Sequence, residues 1–283
     1  MPSSIARTAG AISPAYTEHL TAPASQENAQ KLSIIIPCFN EAATITSILD
    51  KVLEVKLIKG IEKEIVIIND CSTDDTDAII RTYIHSLAKV ESICYLTHEI
   101  NQGKGAAIRT GIAAATGDYL LIQDADLEYD PFDYNKLLGP MVRGHADVVY
   151  GSRFKGGSPH RVLFFWHTIG NQLLTFLCNM FSNLNLTDME TGYKLFKTSV
   201  IKQVPLRERR FGFEPEITIK ISRIPRVKIY EVGISYYGRS YEEGKKIGLK
   251  DAFRCLYCLI KYRFFSRDMR SIGTMQKVVL ASR

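Results

Sequence analysis

The sequence predicts an α/β fold: a mostly parallel sheet with helices on both faces, followed by amphipathic helices near the C-terminus. Two observations carry that expectation. Apolar runs of strand length alternate with stretches of helical period, the pattern that builds βαβ units and covers both sheet faces. Several runs also end abruptly in polar clusters, and ligands of such sheets bind beyond the carboxyl ends of the strands. A chain of 283 residues, 46% hydrophobic and 23% charged, can hold one large α/β domain or two smaller ones.

Residues 1–30, rich in Ala, Ser and Thr and lacking apolar periodicity, read as a disordered or loosely attached arm. The fold begins near Lys31. Strands are predicted over Leu32–Ile36, Glu64–Ile68, Ser92–Leu96, Tyr119–Ile122 and Asp147–Tyr150. Helices are predicted near Ala42–Val55, Asp74–Ala88, Gly103–Ala115 and Tyr134–Arg143. The first strand runs into Pro37, Cys38, Phe39, Asn40 and Glu41, and the second into Asn69, Asp70, Cys71, Ser72 and Thr73. Ser72 and Thr73 suit a helix N-cap, which leaves Asp70 as the binding candidate. Asn101-Gln102-Gly103-Lys104-Gly105 precedes a helix with Arg109 one turn in. Glycines at a helix start admit backbone N–H groups to an anion and Lys104 adds a cation, so the segment reads either as a diphosphate site or as an ordinary loop and cap. It is neither a Walker motif nor a dinucleotide fingerprint.

The fourth strand ends in Asp124-Ala125-Asp126. In extended chain, residues i and i+2 point to the same side, so both carboxylates address one point. Held together they repel unless a cation lies between them, and a hard ion such as Mg²⁺ or Mn²⁺ suits such ligands while leaving positions for substrate phosphates. Glu128, two residues on, is a candidate third ligand. The competing reading is a solvated acidic turn, since Asp130-Pro131 follows.

Charge is unevenly placed. The first 200 residues hold 17 Lys/Arg against 22 Asp/Glu, whereas residues 201–283 hold 19 against 8. The C-terminal third therefore reads as a basic surface facing an anionic partner. These residues surround no recognisable reading motif, so nucleic acid is not among the expected partners. No signal-peptide pattern opens the chain, and a cytoplasmic location is expected. Cys38, Cys71, Cys94, Cys178, Cys255 and Cys258 read as small buried hydrophobes; Cys255 and Cys258 have no second pair to complete a zinc site.

Taken in order, the segments SIIIPCFNEAATI, EIVIINDCSTDDT, NQGKGAAIRTGIAAATGDYLLIQDADLEYDP, DVVYGSRFKGG and ETGYKLFK are similar to family-2 glycosyltransferases of the GT-A fold. The resemblance covers about residues 32–200 and is greatest to the dolichyl-phosphate mannose synthase and polyprenyl-phosphate glycosyltransferase branch. It implies a Rossmann-like GT-A domain over 31–238, followed over 239–283 by a basic loop, an amphipathic helix and a tail. It implies that Pro37, Phe39, Glu41 and Asp70 hold the donor nucleoside. Asp124 and Asp126 would hold the metal, and Glu128 stands where relatives often carry Gln. Arg153 and Arg161 would clamp an acceptor phosphate, a task to which the planar guanidinium is suited. Arg239, Lys245 and Lys246, in GRSYEEGKK, resemble the family's flexible basic loop and would close over donor or acceptor phosphate, with Lys245 as the acceptor-binding candidate.

The implied reaction is a metal-dependent inverting transfer of a hexose from a UDP- or GDP-sugar to a polyprenyl phosphate on the cytosolic membrane face, with Asp126, Arg153 and Glu190 at the chemistry. A second reading has a sugar hydroxyl as acceptor, with Glu190 or Asp188 as base. A third is a nucleotide-sugar binding protein without turnover.

Two helices bear on a membrane partner. Residues 162–181 could span a bilayer by length, yet His167, Asn171, Thr175 and Asn179 recur every fourth residue as one polar stripe. The expected helix lies at an interface with Trp166 and the phenylalanines inserted, or packs on its own sheet. A second, over Leu249–Phe265, carries Leu249, Phe253, Leu256, Tyr257, Ile260 and Phe264 on one face, with Lys250, Arg254 and Lys261 off it. A basic amphipathic helix suits an anionic membrane surface.

Overall fold

A computed structural model describes residues 30–87, 92–156, 161, 165–238 and 249–266. The expected N-terminal arm, most of the basic loop with Lys245, and the C-terminal tail lie outside the described residues. The elements run β1 (Lys31–Cys38), α1 (Ile45–Glu54), β2 (Glu62–Asn69), α2 (Thr76–Ser86), β3 (Ser92–Thr97), α3 (Lys104–Ala114), β4 (Tyr119–Ile122), α4 (Tyr134–Val142) and β5 (Val148–Ser152). Then follow α5 (Phe165–Ser182), β6 (Lys194–Lys197), α6 (Thr198–Ile201), α7 (Phe213–Ser222), β7 (Ile229–Gly233) and α8 (Leu249–Ile260), which ends in a π turn over Lys261–Phe265.

Among the described residues these strands make one sheet in the order β3-β2-β1-β4-β6-β5-β7. All pairings are parallel except those of β6, which runs antiparallel to both β4 and β5. The five expected strands are present, and β6 and β7 are additional. β6 is four residues long with a lysine at each end, and β7 is a half-buried edge, so neither displays a strand's usual apolar run.

The pleat divides the core. Ile34, Ile36, Ile65, Ile67 and Leu121 face α1 and α4, where Ile48, Leu49, Val52, Leu137 and Leu138 complete the layer. Ile35, Val66, Ile68, Leu120 and Ile122 face α3 and α7, against Ile108, Ile112, Phe213 and Ile217. A third cluster joins α5, α7 and α8 through Cys178, Ile219, Cys255, Cys258, Leu259 and Tyr262. The register Ile35↔Val66 and Ile35↔Ile122 brings the carboxyl ends of β1, β2 and β4 together, so their loops open on one crevice.

Candidate active site

Each of those three loops turns through a non-glycine residue of positive φ: Asn40 after β1, Cys71 after β2 and Leu127 after β4. Such residues persist only where surrounding contacts hold them. Here the first two loops are tied together, since Asn40 N donates to Ser72 Oγ (3.0 Å) and Thr73 N donates to Asn40 Oδ1 (2.8 Å). Ser72 and Thr73 therefore do not cap α2, which starts later; Asp74 accepts from Thr76 N there. Glu41 N donates to Thr76 Oγ1 and its carboxylate accepts from Thr44, while Phe39 stays 38% exposed at the crevice beside the half-buried Pro37.

Asp70 is buried and anchors the loop before α3. It accepts from Gln102 N (2.9 Å) and Gly103 N (2.6 Å) and pairs with His98 Nδ1 (2.6 Å). Gly103 takes φ +91°, and a Cβ there would meet Arg209 O at 2.5 Å. The glycine thus admits the 208–210 segment, where Arg209 O accepts from Ala106 N and Glu208 O from Arg109. Both glycines are needed for this close approach, since a Cβ at Gly105 would meet Glu208 O at 2.6 Å.

Lys104, the first residue of α3, reaches across to the fourth-strand loop. Its Nζ lies 2.7 Å from Asp124 Oδ1 and 3.8 Å from Glu214 Oε1. Asp124, Glu214 and Asp126 together hold this ammonium well above the usual lysine range, against its burial. Beneath the pair, buried Gln123 donates from Nε2 to Asp124 O (2.9 Å), and its Oε1 accepts from Tyr134 (2.7 Å) and Tyr193 (2.6 Å). Behind it, Gly192 leaves room for Asp124: a Cβ would meet Oδ2 at 2.5 Å. Gln123 and Gly192 carry no chemistry of their own, and their spacing in sequence gives no sign of this support.

Glu128 turns elsewhere, its Oε2 accepting from Tyr236 (2.8 Å). Among the described residues no cluster of three or more acids, histidines or cysteines is arranged to share one ion. Asp124 and Asp126 nevertheless fit a hard divalent cation. The Lys104 ammonium already shows that a cation is favoured there, and two carboxylates leave coordination positions for substrate oxygens and water, as Mg²⁺ and Mn²⁺ prefer.

After β5, Arg153 forks onto buried Asp188 through Nε (2.6 Å) and Nη2 (2.7 Å), and its guanidinium lies 5.1 Å over the Tyr236 ring. Arg161 is exposed and donates to Gly238 O (3.1 Å). Glu190 accepts from the Cys255 thiol of α8 (3.2 Å); burial, then the nearby Glu214, pushes its carboxyl up to about 7. Asp188 and Glu190, alternatives in sequence, thus have distinct environments: one carboxylate is fixed by an arginine, the other is poised near neutrality.

The polar stripe of α5 points inward onto this segment. Asn171 contacts Asp188 (3.5 Å), Thr175 Oγ1 accepts from Met189 N (3.2 Å), and Asn179 bonds both N and O of Leu186. Its apolar side faces out, with Trp166 78%, Phe165 66% and Phe176 63% exposed. On α8 the expected apolar face is likewise exposed, Phe253 at 72% and Phe264 at 64%, while Cys255, Cys258 and Leu259 pack inward. The helices adjoin at Phe181 and Phe264, whose rings meet edge-on at 5.8 Å. No described helix is long and apolar enough to cross a membrane.

Comparison with known proteins agrees with this architecture. The chain is 26% identical over 237 residues to dodecaprenyl-phosphate galacturonate synthase of Rhizobium johnstonii, covering 84% of this chain and 68% of that one. It is 28% identical over 248 residues to a dolichyl-phosphate beta-glucosyltransferase of Trichomonas vaginalis, covering 83% and 74%. In fold it resembles glucosyl-3-phosphoglycerate synthase from Mycobacterium tuberculosis, solved with Mn²⁺, UDP and phosphoglyceric acid, at a TM-score of 0.64 and 19% identity over 84% of this chain and 80% of that one. Residues 33–204 match Glycosyl transferase family 2, and the chain belongs to that family and is a glycosyltransferase.

Proposed function

We propose that this glycosyltransferase moves a hexose from a UDP- or GDP-sugar to a polyprenyl phosphate held at a membrane surface, in a metal-dependent inverting reaction. The observation that carries the acceptor is the two-sided character of α5. Its inner face holds the segment bearing Asp188 and Glu190, and its outer face presents exposed Trp166 and phenylalanines beside those of α8. A lipid whose tail lies along that outer face has its phosphate close to the acceptor segment. Two relatives that act on prenyl-type phosphates, by their names, support the same class of acceptor.

The chain's own residues divide the work. The loops after β1 and β2, with Phe39, Glu41 and Asp70, bound the nucleoside end, and Asp124, Asp126 and Lys104 meet the diphosphate. A divalent ion bound by the aspartates would stabilise charge on the leaving diphosphate. Arg153 spends Nε and Nη2 on Asp188, which fixes its plane; in this reading its remaining N–H groups meet the acceptor phosphate. A lipid monophosphate, with a second pKa of about 6, arrives anionic and needs no strong base. Attack from the side opposite the diphosphate inverts the anomeric centre.

The test is direct. Purified protein with Mg²⁺ or Mn²⁺, a panel of UDP- and GDP-hexoses and vesicles containing polyprenyl phosphate is expected to yield glycolipid. Donor consumption without glycolipid, or no consumption, overturns the proposal. The burial of Glu190 favours a second reading, transfer to a hydroxyl: burial, then the nearby Glu214, pushes its carboxyl up to about 7, where a general base works best. Glu190→Gln separates the two. Lipid-phosphate transfer that survives supports the first reading; a loss of turnover of about a hundredfold with donor binding intact supports the second.

A further inference from the structure

The segment Phe211-Gly212-Phe213-Glu214-Pro215-Glu216 opens α7 with two buried acids, and only one of them is fully used. Glu216 pairs with Lys220 (2.7 Å) and accepts from the backbone N–H groups of Arg207 and Glu208, stitching that loop to the helix. Glu214 is 5% exposed, and its Oε2 is buried with no hydrogen-bond partner among the described residues. The ammonium of buried Lys194 offsets part of the Glu214 charge but donates its hydrogen bond to Thr191 O, so that Glu214 Oε2 stays without a donor. A buried carboxylate oxygen left without a partner is costly, and here it sits in the first turn of a helix, where the backbone dipole favours negative charge.

The nearest cation is Lys104, which binds Asp124 at 2.7 Å and stands 3.8 Å from Glu214 Oε1. The longer contact is an ion pair without a hydrogen bond, and a shift of about 1 Å would convert one into the other. Lys104 therefore lies between a carboxylate assigned to the metal and a carboxylate with unused capacity. A divalent ion arriving at Asp124 repels the ammonium, which must find another anion or compete for that site.

We infer that Glu214 is a positioning residue that takes Lys104 over from Asp124 when a divalent cation binds, so that one lysine first neutralises Asp124 and then clears the way for the ion. The inference rests on the metal reading proposed above. It assigns Glu214 a role in metal entry, separate from any contact with sugar or acceptor.

The test titrates the full chain with Mn²⁺ alone and follows free Mn²⁺ by electron paramagnetic resonance. Asp124→Asn is expected to abolish binding; if it binds as the unaltered protein does, the metal reading falls and this inference falls with it. Glu214→Gln is expected to weaken Mn²⁺ binding about tenfold, because Lys104 then stays on Asp124. Lys104→Met should bind more tightly than the unaltered protein, and the pair Glu214→Gln/Lys104→Met should recover to within about threefold of Lys104→Met. That rescue distinguishes a cation hand-over from a packing role, which removal of Lys104 would not repair. Unchanged affinity in Glu214→Gln, or a double variant as weak as Glu214→Gln, overturns the inference while leaving the metal site standing.

Discussion

Two carboxylates two residues apart, Asp188 and Glu190, show how far residue type under-determines role. Asp188 is fully buried against Arg153, so removing its charge strands a guanidinium in a poorly hydrated place. Asp188→Asn is expected to cost about 3 kcal/mol of stability, read from the midpoint of urea unfolding, and Arg153→Gln/Asp188→Asn should cost less than Asp188→Asn alone. A double variant no more stable than the single one would show that the pair is not the origin of the loss. Glu190 behaves in the opposite sense. Its folded-state pKa of about 7 lies above the ordinary carboxylate value, so the native state holds the proton longer than the unfolded chain does. Stability should therefore fall as pH rises from about 4.5 to about 7 and level off above that, and Glu190→Gln should remove this component of the slope. Thermal unfolding across that range reads it; an unaltered slope in the variant would place the shift elsewhere. The sequence singled out both acids but not their difference, since burial and the approach of Arg153, Cys255 and Glu214 come from distant segments.

At the scale of elements, periodicity identified α5 and α8, but the direction each face takes was settled by polar bookkeeping within the fold. The segment 186–189 exposes backbone groups to a buried environment and must have partners, and Thr175 and Asn179 supply them. That requirement turns the polar stripe of α5 inward and leaves its apolar side uncovered. α8 is held down by a buried acid: Glu208 accepts from Arg254 (2.6 Å), Lys261 (3.0 Å) and Tyr262 (2.6 Å), and these donors draw its carboxyl down to about 2 despite desolvation. The helix can thus present Phe253 and Tyr257 outward without needing them for attachment. Trp166 is the single tryptophan of the chain and is 78% exposed, which makes it a built-in reporter of that face. Adding lipid vesicles is expected to shift its emission to the blue, and Phe176→Ser with Phe253→Ser, both at exposed positions, should weaken vesicle binding without lowering the unfolding midpoint. Emission that stays at the water-exposed position while the protein co-sediments with vesicles would place the docking surface on another face.

Over the whole molecule, the chain order of strands and helices up to β5 was legible because β1, β2, β4 and β5, largely buried on both faces, write apolar runs, and the half-buried edge β3 still reads Ile93-Cys94-Tyr95-Leu96. The insertion of β6 between β4 and β5 was not, because a short antiparallel strand in a largely parallel sheet takes its place from its neighbours' edges and not from its own composition. The charge asymmetry was legible as a total, and among the described residues the structure gives part of it an address. Arg223, Arg226 and Arg263 line a cleft of about 710 Å³ whose described lining contains no acid, and Arg263 directly precedes the exposed Phe264 and Phe265. If the proposed membrane contact lies on this side, it combines an apolar part, insensitive to salt, with a cationic part that ions screen. The Debye length falls from about 10 Å at 0.1 M to about 3 Å at 1 M salt, and each basic residue near an anionic surface contributes about 1 kcal/mol. Binding to vesicles containing anionic lipid should accordingly weaken by at least tenfold over that range in co-sedimentation, while the weaker binding to neutral vesicles should hold. Arg226→Gln/Arg263→Gln should bring the anionic-vesicle affinity at low salt toward the neutral-vesicle value. Equal salt dependence on both vesicle types would assign the basic C-terminal third to something other than the membrane, and would leave the exposed aromatic face as the sole attachment.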